Sequence, residues 1–205
     1  MIKFDLLRKS KKFDVVTMGL VVGDLIGKPV DEMPGRGKLV MIDDAQLHTG
    51  GNVCNTGIAL ARLGIDTGAV AMIGEGGRDG LGDFIVNALA NNGVDTDGVI
   101  HREGIHSSAT MVMVSSDGER SFIHYPGGHG ALSFWDITDD IYKYITQGRI
   151  LQVGYFGILP KLQSNMGRFL GEVKRRDPSM IISLETAGDT RPMETERVRK
   201  QLLPR

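Results

Sequence analysis

Cysteine is almost missing from these 205 residues: Cys54 stands alone, so no internal disulfide can form. Secreted domains that rely on disulfide bridges carry several cysteines, and the count points to a reducing cytoplasm. Long hydrophobic runs are missing as well. No apolar stretch approaches the roughly 18 residues of a membrane span, and residues 1–12 scatter Lys and Arg without the apolar centre of a signal peptide. Neither sign of charge is in excess. Lys and Arg number 24 against 25 Asp and Glu, a net charge of -1, so there is no basic field to hold nucleic acid or an anionic membrane. A small or neutral ligand fits this balance better. Two nucleotide motifs are also absent: no G-x-x-x-x-G-K-[ST] loop and no G-x-G-x-x-G fingerprint can be laid on the chain, which disfavours a Rossmann dehydrogenase. His124 and His129 flank a Pro-Gly turn with no Cys or acidic partner at a ligand spacing, so no metal site is expected there.

Glycine, by contrast, is plentiful at 28 residues, and it falls at the ends of periodic segments and in a dense run from Gly74 to Gly82. The segments between follow a β-α rhythm. A Val-rich run over 13–22 predicts a buried strand, and weak alternation at 38–42 predicts one or two short exposed strands. Small and apolar residues at helical spacing over 51–63, stopped by Gly64, predict a helix, and a strand is expected over 68–73. Leu81, Phe84, Ile85, Ala88 and Leu89 form a helical stripe before Gly93. Two β-favouring runs, 109–115 and 120–125, joined by Ser116-Asp117-Gly118-Glu119, predict a hairpin. The rhythm resumes with a helix at 138–147, a strand at 149–153, a helix at 162–176 and a strand at 180–184. The fold class is α/β with a mostly parallel sheet. A further helix over 194–203 is expected to lead into a strand that the sequence does not contain, so we expect an incomplete domain whose sheet would end in an open edge.

Three segments carry candidate chemistry. In Gly19 to Asp24 (GLVVGD), Asp24 offers a carboxylate that can accept charge-assisted hydrogen bonds from neighbouring hydroxyls. In Gly50-Gly51-Asn52-Val53-Cys54-Asn55-Thr56-Gly57, paired glycines let backbone N–H groups approach a ligand at a helix start, and Asn55 adds both a donor and an acceptor. Cys54 has no basic neighbour in sequence and reads as a small core residue. The third is Ile73-Gly74 with Gly77-Arg78-Asp79-Gly80-Leu81-Gly82.

Together these resemble the ribokinase-type (PfkB) carbohydrate kinases, most specifically over 50–64. The third segment is similar to the family's IG-x-D-x-x-G stretch with a longer loop. Asp117-Gly118-Glu119-Arg120 and Tyr125-Pro126-Gly127-Gly128-His129-Gly130 resemble its dGeR turn and the GAN that follows, with His129 where that Asn stands. The resemblance implies a ribokinase-like α/β domain with a small β-strand lid, which we expect at about 30–48 and 105–127. It implies Asp24, Gly50, Gly51 and Asn55 as substrate-binding residues and His124, Tyr125 and His129 as lid residues. It implies transfer of a phosphoryl group from ATP, with Mg²⁺, to a hydroxyl of a sugar or nucleoside, and a homodimer through the lid. The family's N-x-x-E stretch and its G-A-G-D loop, which supplies the catalytic base, have no counterpart here. Asp189 lacks the flanking glycines and reads as a loop residue, with Glu185 at the edge of the site floor. No catalytic residue and no site for ATP or Mg²⁺ is therefore identified in this chain, which is expected to be inactive alone. The alternative is a non-catalytic sugar-binding or dimerisation module.

Overall fold

The eight residues of Thr67–Gly74 are all buried, which only a strand covered on both faces can achieve. The computed structural model describes residues 11–75 and 79–186, and it places this strand, β4, in a five-stranded sheet. The other members are β1 (Phe13–Met18), β5 (Val94–Arg102), β8 (Gly148–Val153) and β9 (Ile181–Leu184), in the order β5-β4-β1-β8-β9, every pair parallel. Alternate residues of β4 serve two cores. Ala69, Ala71 and Ile73 pack with Val53, Cys54, Ile85 and Leu89 from α1 (Gly51–Arg62) and α2 (Gly80–Asn91). Val70 and Met72 belong to the opposite layer with Tyr142, Ile145, Phe169 and Val173. That layer holds α3 (Gly127–Ala131), α4 (Asp139–Ile145), α5 (Pro160–Gln163) and α6 (Met166–Arg176).

A second sheet stands apart from the first. Its four strands are β2 (Val22–Lys28), β3 (Asp44–Gly50), β6 (Ala109–Val114) and β7 (Arg120–Tyr125), in the order β3-β2-β6-β7. The β6–β7 hairpin turns through Asp117-Gly118, with Gly118 at φ 89. Residues paired across strands share a face, so the register sorts the side chains into two sets. Leu47, Leu25, Met111 and Ile123 line one face; His48, Asp24, Thr110 and His124 line the other.

Several expectations need correction. The run over 13–22 is not one strand: β1 ends at Met18, and Val22 opens β2 in the other sheet, so Asp24 lies within a strand of that second sheet rather than at the end of the first. No strand forms at 38–42. Pro29, Pro34, Gly35 and Gly37 break the segment, Lys38 N–H closes a turn onto Gly35 O, and Leu39 and Met41 are 82% and 81% exposed. The second sheet therefore uses 22–28 and 44–50, not a strand beginning near 30. Strand β5 and the short α3 carried no periodic signal and were not expected. The helix foreseen over 162–176 is interrupted at Ser164 and Asn165, yet Leu162, Met166, Phe169 and Val173 are buried on one side. The helix foreseen over 194–203, Asp189, and Gly77 and Arg78 of the glycine-rich loop lie outside the described residues.

Candidate functional site

The site forms where β3 runs straight into α1. Gly50 is extended, and Gly51 turns the chain at φ 83, a conformation that side chains resist; a Cβ on Gly51 would also overlap Leu20 O. A Cβ on Gly50 would overlap Oδ2 of Asp24. The carboxylate thus lies directly over the turn, with no atom of a side chain between.

Asp24 is half-buried, and burial raises its pKa; the Thr110 hydroxyl and the charges of His124 and His48 pull it the other way. These partners are its cross-strand neighbours: Asp24 pairs with His48 on β3 and with Thr110 on β6, and Thr110 pairs with His124 on β7. Thr110 Oγ1 lies 3.0 Å from His124 Nδ1. Burial lowers the pKa of His124. His129 sits on α3 at 2% exposure, its Nδ1 is 2.9 Å from Ser108 Oγ, and burial pushes its pKa down to about 4. Burial thus favours the uncharged form of both imidazoles.

Asn55 is exposed on α1. Its neighbour Cys54 is buried, and burial pushes the thiol up to about 12, so it is no nucleophile. The buried amide of this helix start is Asn52. Its Nδ2 donates to Met18 O at 2.9 Å and to Gln152 Oε1 at 3.1 Å, and its Oδ1 accepts from Leu20 N–H at 2.9 Å. It ties α1 to the C-terminal ends of β1 and β8, the end of a parallel sheet where ligands bind. Glu185 is at the same end, where its Oε2 accepts from Tyr155 N–H at 3.0 Å.

The sequence-predicted residues are therefore distributed unevenly. Asp24, Gly50 and Gly51 are brought together, with His124 on the same sheet face and His129 against it, ring centroids 5.1 Å apart. Tyr125 is not among them: it pairs with Ala109 and faces the opposite side of the sheet, 49% exposed. Asp79 braces rather than binds, since its Oδ2 accepts from Ser107 N–H at 2.6 Å while Ser107 Oγ accepts from Gly74 N–H at 3.0 Å.

The pfkB family carbohydrate kinase model matches residues 12–185. The chain belongs to that family. Among curated PfkB relatives it is similar to 5-dehydro-2-deoxygluconokinase of Clostridium beijerinckii, 33% identical over 132 residues, 62% of this chain and 34% of that protein. It is also similar to fructokinase-1 of Oryza sativa, 40% identical over 76 residues, 37% of this chain and 23% of the other. Arabidopsis thaliana ribokinase complexed with ribose and ATP has the same fold, with a TM-score of 0.71 at 20% identity over 86% of this chain and 54% of that one. Ribokinase from Giardia lamblia gives 0.74 at 16% identity over 92% and 56%. The chain spans about half the length of these PfkB-type structures and about a third or less of the curated relatives.

Thr110 and Ser108, which hold the two histidines, were missed. A Thr at an inward position of a predicted hairpin is the signal available in sequence, but its partner strand β2 could not be identified, because the first apolar run was read as unbroken. Asn52 was passed over for Asn55; both are amides in one motif, and only burial separates them.

Proposed function

We propose that this chain holds a sugar or related small polyol between the Asp24 face of the second sheet and the glycine turn at the start of α1. It would do so as the substrate-binding part of a PfkB-type kinase that passes the γ-phosphoryl group of ATP to a ligand hydroxyl. The observation that carries the reading is the Asp24 carboxylate over Gly50 in a chain of this family. An ionised carboxylate accepts two hydrogen bonds from neighbouring hydroxyls, and the backbone of the glycine turn is open to close approach. Asn55, exposed on the same helix, is a third contact. The second sheet acts as the lid, with His124 and His129 on its closing side, and closure keeps water from the transferred group. Relatives named as fructokinase and 5-dehydro-2-deoxygluconokinase support a sugar over a nucleoside.

Its other face carries Leu47, Leu25, Met111 and Ile123 in one row, which a second copy would cover, with Tyr125 beside it. No helix among the described residues is long and apolar enough to cross a membrane. The single buried thiol fits the cytoplasm. The family uses ATP with Mg²⁺, but among the described residues no group of three or more His, Cys, Asp or Glu could hold a metal ion.

Titration calorimetry with D-fructose, D-ribose and adenosine tests the reading. Fructose or ribose should bind, and Asp24→Asn should weaken binding about tenfold or more, the worth of a hydrogen bond to a charged group. Equal affinity in wild type and variant would remove Asp24 from the site. A coupled ADP-release assay on residues 1–205 should give turnover far below the roughly 1–100 s⁻¹ of kinases, because no G-A-G-D loop is present.

A further inference from the structure

Asn92-Gly93 is the one Asn-Gly pair in the sequence, and the end of α2 uses both residues. Gly93 follows the helix at φ 82 and its N–H donates to Ala90 O at 2.9 Å, the left-handed stop that glycine adopts without strain. Asn92 is the C-cap. Its Nδ2 donates back to Ala88 O at 2.7 Å, and its Oδ1 accepts from Nε of Arg62, in the last turn of α1, at 2.9 Å. One carboxamide thus joins the ends of the two helices that cover this side of the main sheet.

The same dipeptide carries a reaction of its own. An asparagine carboxamide is open to attack by the backbone nitrogen that follows it, and a glycine in that place, having no Cβ, obstructs the approach least. The nitrogen of Gly93 bonds to Cγ of Asn92 and closes a five-membered succinimide. Nδ2 leaves as ammonia, taking up the proton that the Gly93 nitrogen loses. Water then opens the ring at either carbonyl and leaves aspartate or isoaspartate, a route that makes asparagine thermolabile. Native contacts oppose each part of this step: the Gly93 N–H is committed to Ala90 O, both ends of the carboxamide are hydrogen-bonded, and the turn holds Asn92 at ψ 11. We propose that Asn92 is a caged deamidation site, held shut by Ala88 O and Arg62 and opened when the end of α2 frays.

Ala88 belongs to α2, so its bond is lost with the helix end; Arg62 is the part of the cage that another element supplies. Gly93 is exposed, and a Cβ there would meet nothing within 4 Å, so water reaches the ring once it forms. The two products differ. Aspartate at 92 keeps an acceptor for Arg62, but it loses the donor to Ala88 O and puts a negative charge at the negative end of the helix dipole. Isoaspartate also lengthens the backbone by one atom, which takes the Gly93 N–H away from Ala90 O. Val94, the next residue, opens β5 against Thr67 at the N-terminal end of the main sheet, the end away from Asp24 and Gly50. The modification therefore acts on the stability of the α1–α2 layer, and it does not depend on the sugar-binding reading.

Peptide mapping by mass spectrometry, on the chain held at mildly alkaline pH, follows the loss of the Asn92 amide, and isoaspartyl methyltransferase labelling reports the isoaspartate. Asn92 should convert in urea-unfolded protein and persist in folded protein over the same time. Arg62→Ala should speed conversion in the folded protein about three- to tenfold, the factor that one lost hydrogen bond is worth. Val173→Ala, in the opposite layer, lowers global stability without touching the cage and should leave the folded-state rate unchanged. No conversion in urea removes the modification site. Equal rates in folded and unfolded wild type, or an unchanged rate in Arg62→Ala, overturn the cage. Equal acceleration by Val173→Ala and Arg62→Ala overturns it as well, because global unfolding would then be what exposes Asn92.

Discussion

Oδ2 of Asp24 occupies the space that a side chain on Gly50 would fill. The pairing of Val22 with Gly50 and of Asp24 with His48 puts both on one face of the second sheet, two residues apart on their strands. Glycine at 50 is thus required by the neighbouring carboxylate and not by its own dihedrals, which are extended. Gly50→Ala should displace Asp24 and reduce affinity for D-fructose or D-ribose about tenfold, the loss expected for a misplaced charged hydrogen bond. Folding stability should change much less, and paired calorimetry and urea denaturation would separate the two. Equal losses in both would mean that Gly50 serves packing alone.

Asn52 is 4% exposed and makes hydrogen bonds to two strand ends and to Leu20. Asn52→Ala would leave Met18 O and Leu20 N–H without those partners in a buried place, at about 1–3 kcal/mol for each stranded group. A Cβ on Gly19 or on Gly154 would overlap the amide, so both glycines make room for Asn52. Asn52→Ala should lower the urea midpoint without changing the slope, as a loss of stability within a native fold does.

His129 gives the protein a pH-dependent stability with a defined sign. Its folded pKa, down to about 4, lies below the ordinary 6.5 because burial disfavours the charged ring. Between those values the unfolded chain binds the proton and the folded one does not, so stability falls as pH drops from 6.5 towards 4 and levels off below. The full effect is on the order of 3 kcal/mol at 1.36 kcal/mol per unit. His124, lowered for the same reason, adds in the same direction, while the raised Asp24 opposes it in the carboxylate range. Urea denaturation from pH 7 to pH 4 should show the decline, and His129→Asn should remove most of it.

Most of the main sheet, β5 apart, was legible in sequence because its strands and helices have clean periods. The stripe of Leu81, Phe84, Ile85, Ala88 and Leu89 marks α2, and Ile85 and Leu89 are fully buried there. The motif over 50–57 located the site for a similar reason, since the double glycine is a local backbone demand. The second sheet was harder. Its strands are half-exposed, β2 begins four residues after β1 ends with only Gly19 to mark the break, and nothing local tells that Val22 leaves one sheet for another. Tyr125 lies in β7 with His124 but on the opposite face, a difference the sequence does not show because strand parity decides the face, and parity needs the register. Thr110 matters only through its neighbours on two other strands, a relationship no single segment contains.

The apolar row on the second sheet leads to the last prediction. Leu47, Leu25, Met111 and Ile123 are 45%, 48%, 50% and 44% exposed, one from each strand and all in register. Single exposed apolar residues are ordinary, but a contiguous row across a sheet, with Tyr125 at 49% beside it, is a patch of the kind that marks an interface. The same face is partly covered within the chain, since Gly23 makes room for Leu81 of α2 and Gly27 for Ile42. What stays open is the middle, where a flat surface without Lys or Arg would suit its own copy about a two-fold axis. Burying four such side chains yields a favourable term at about 25 cal/mol per Å² of apolar area, and a charge placed among them would have to be desolvated unpaired. Sedimentation velocity should therefore find a dimer for the wild-type chain and a monomer for Met111→Lys, with the thermal transition of the monomer intact. A wild-type monomer at high concentration would leave the row without a self-partner and remove the dimer from the proposed assembly.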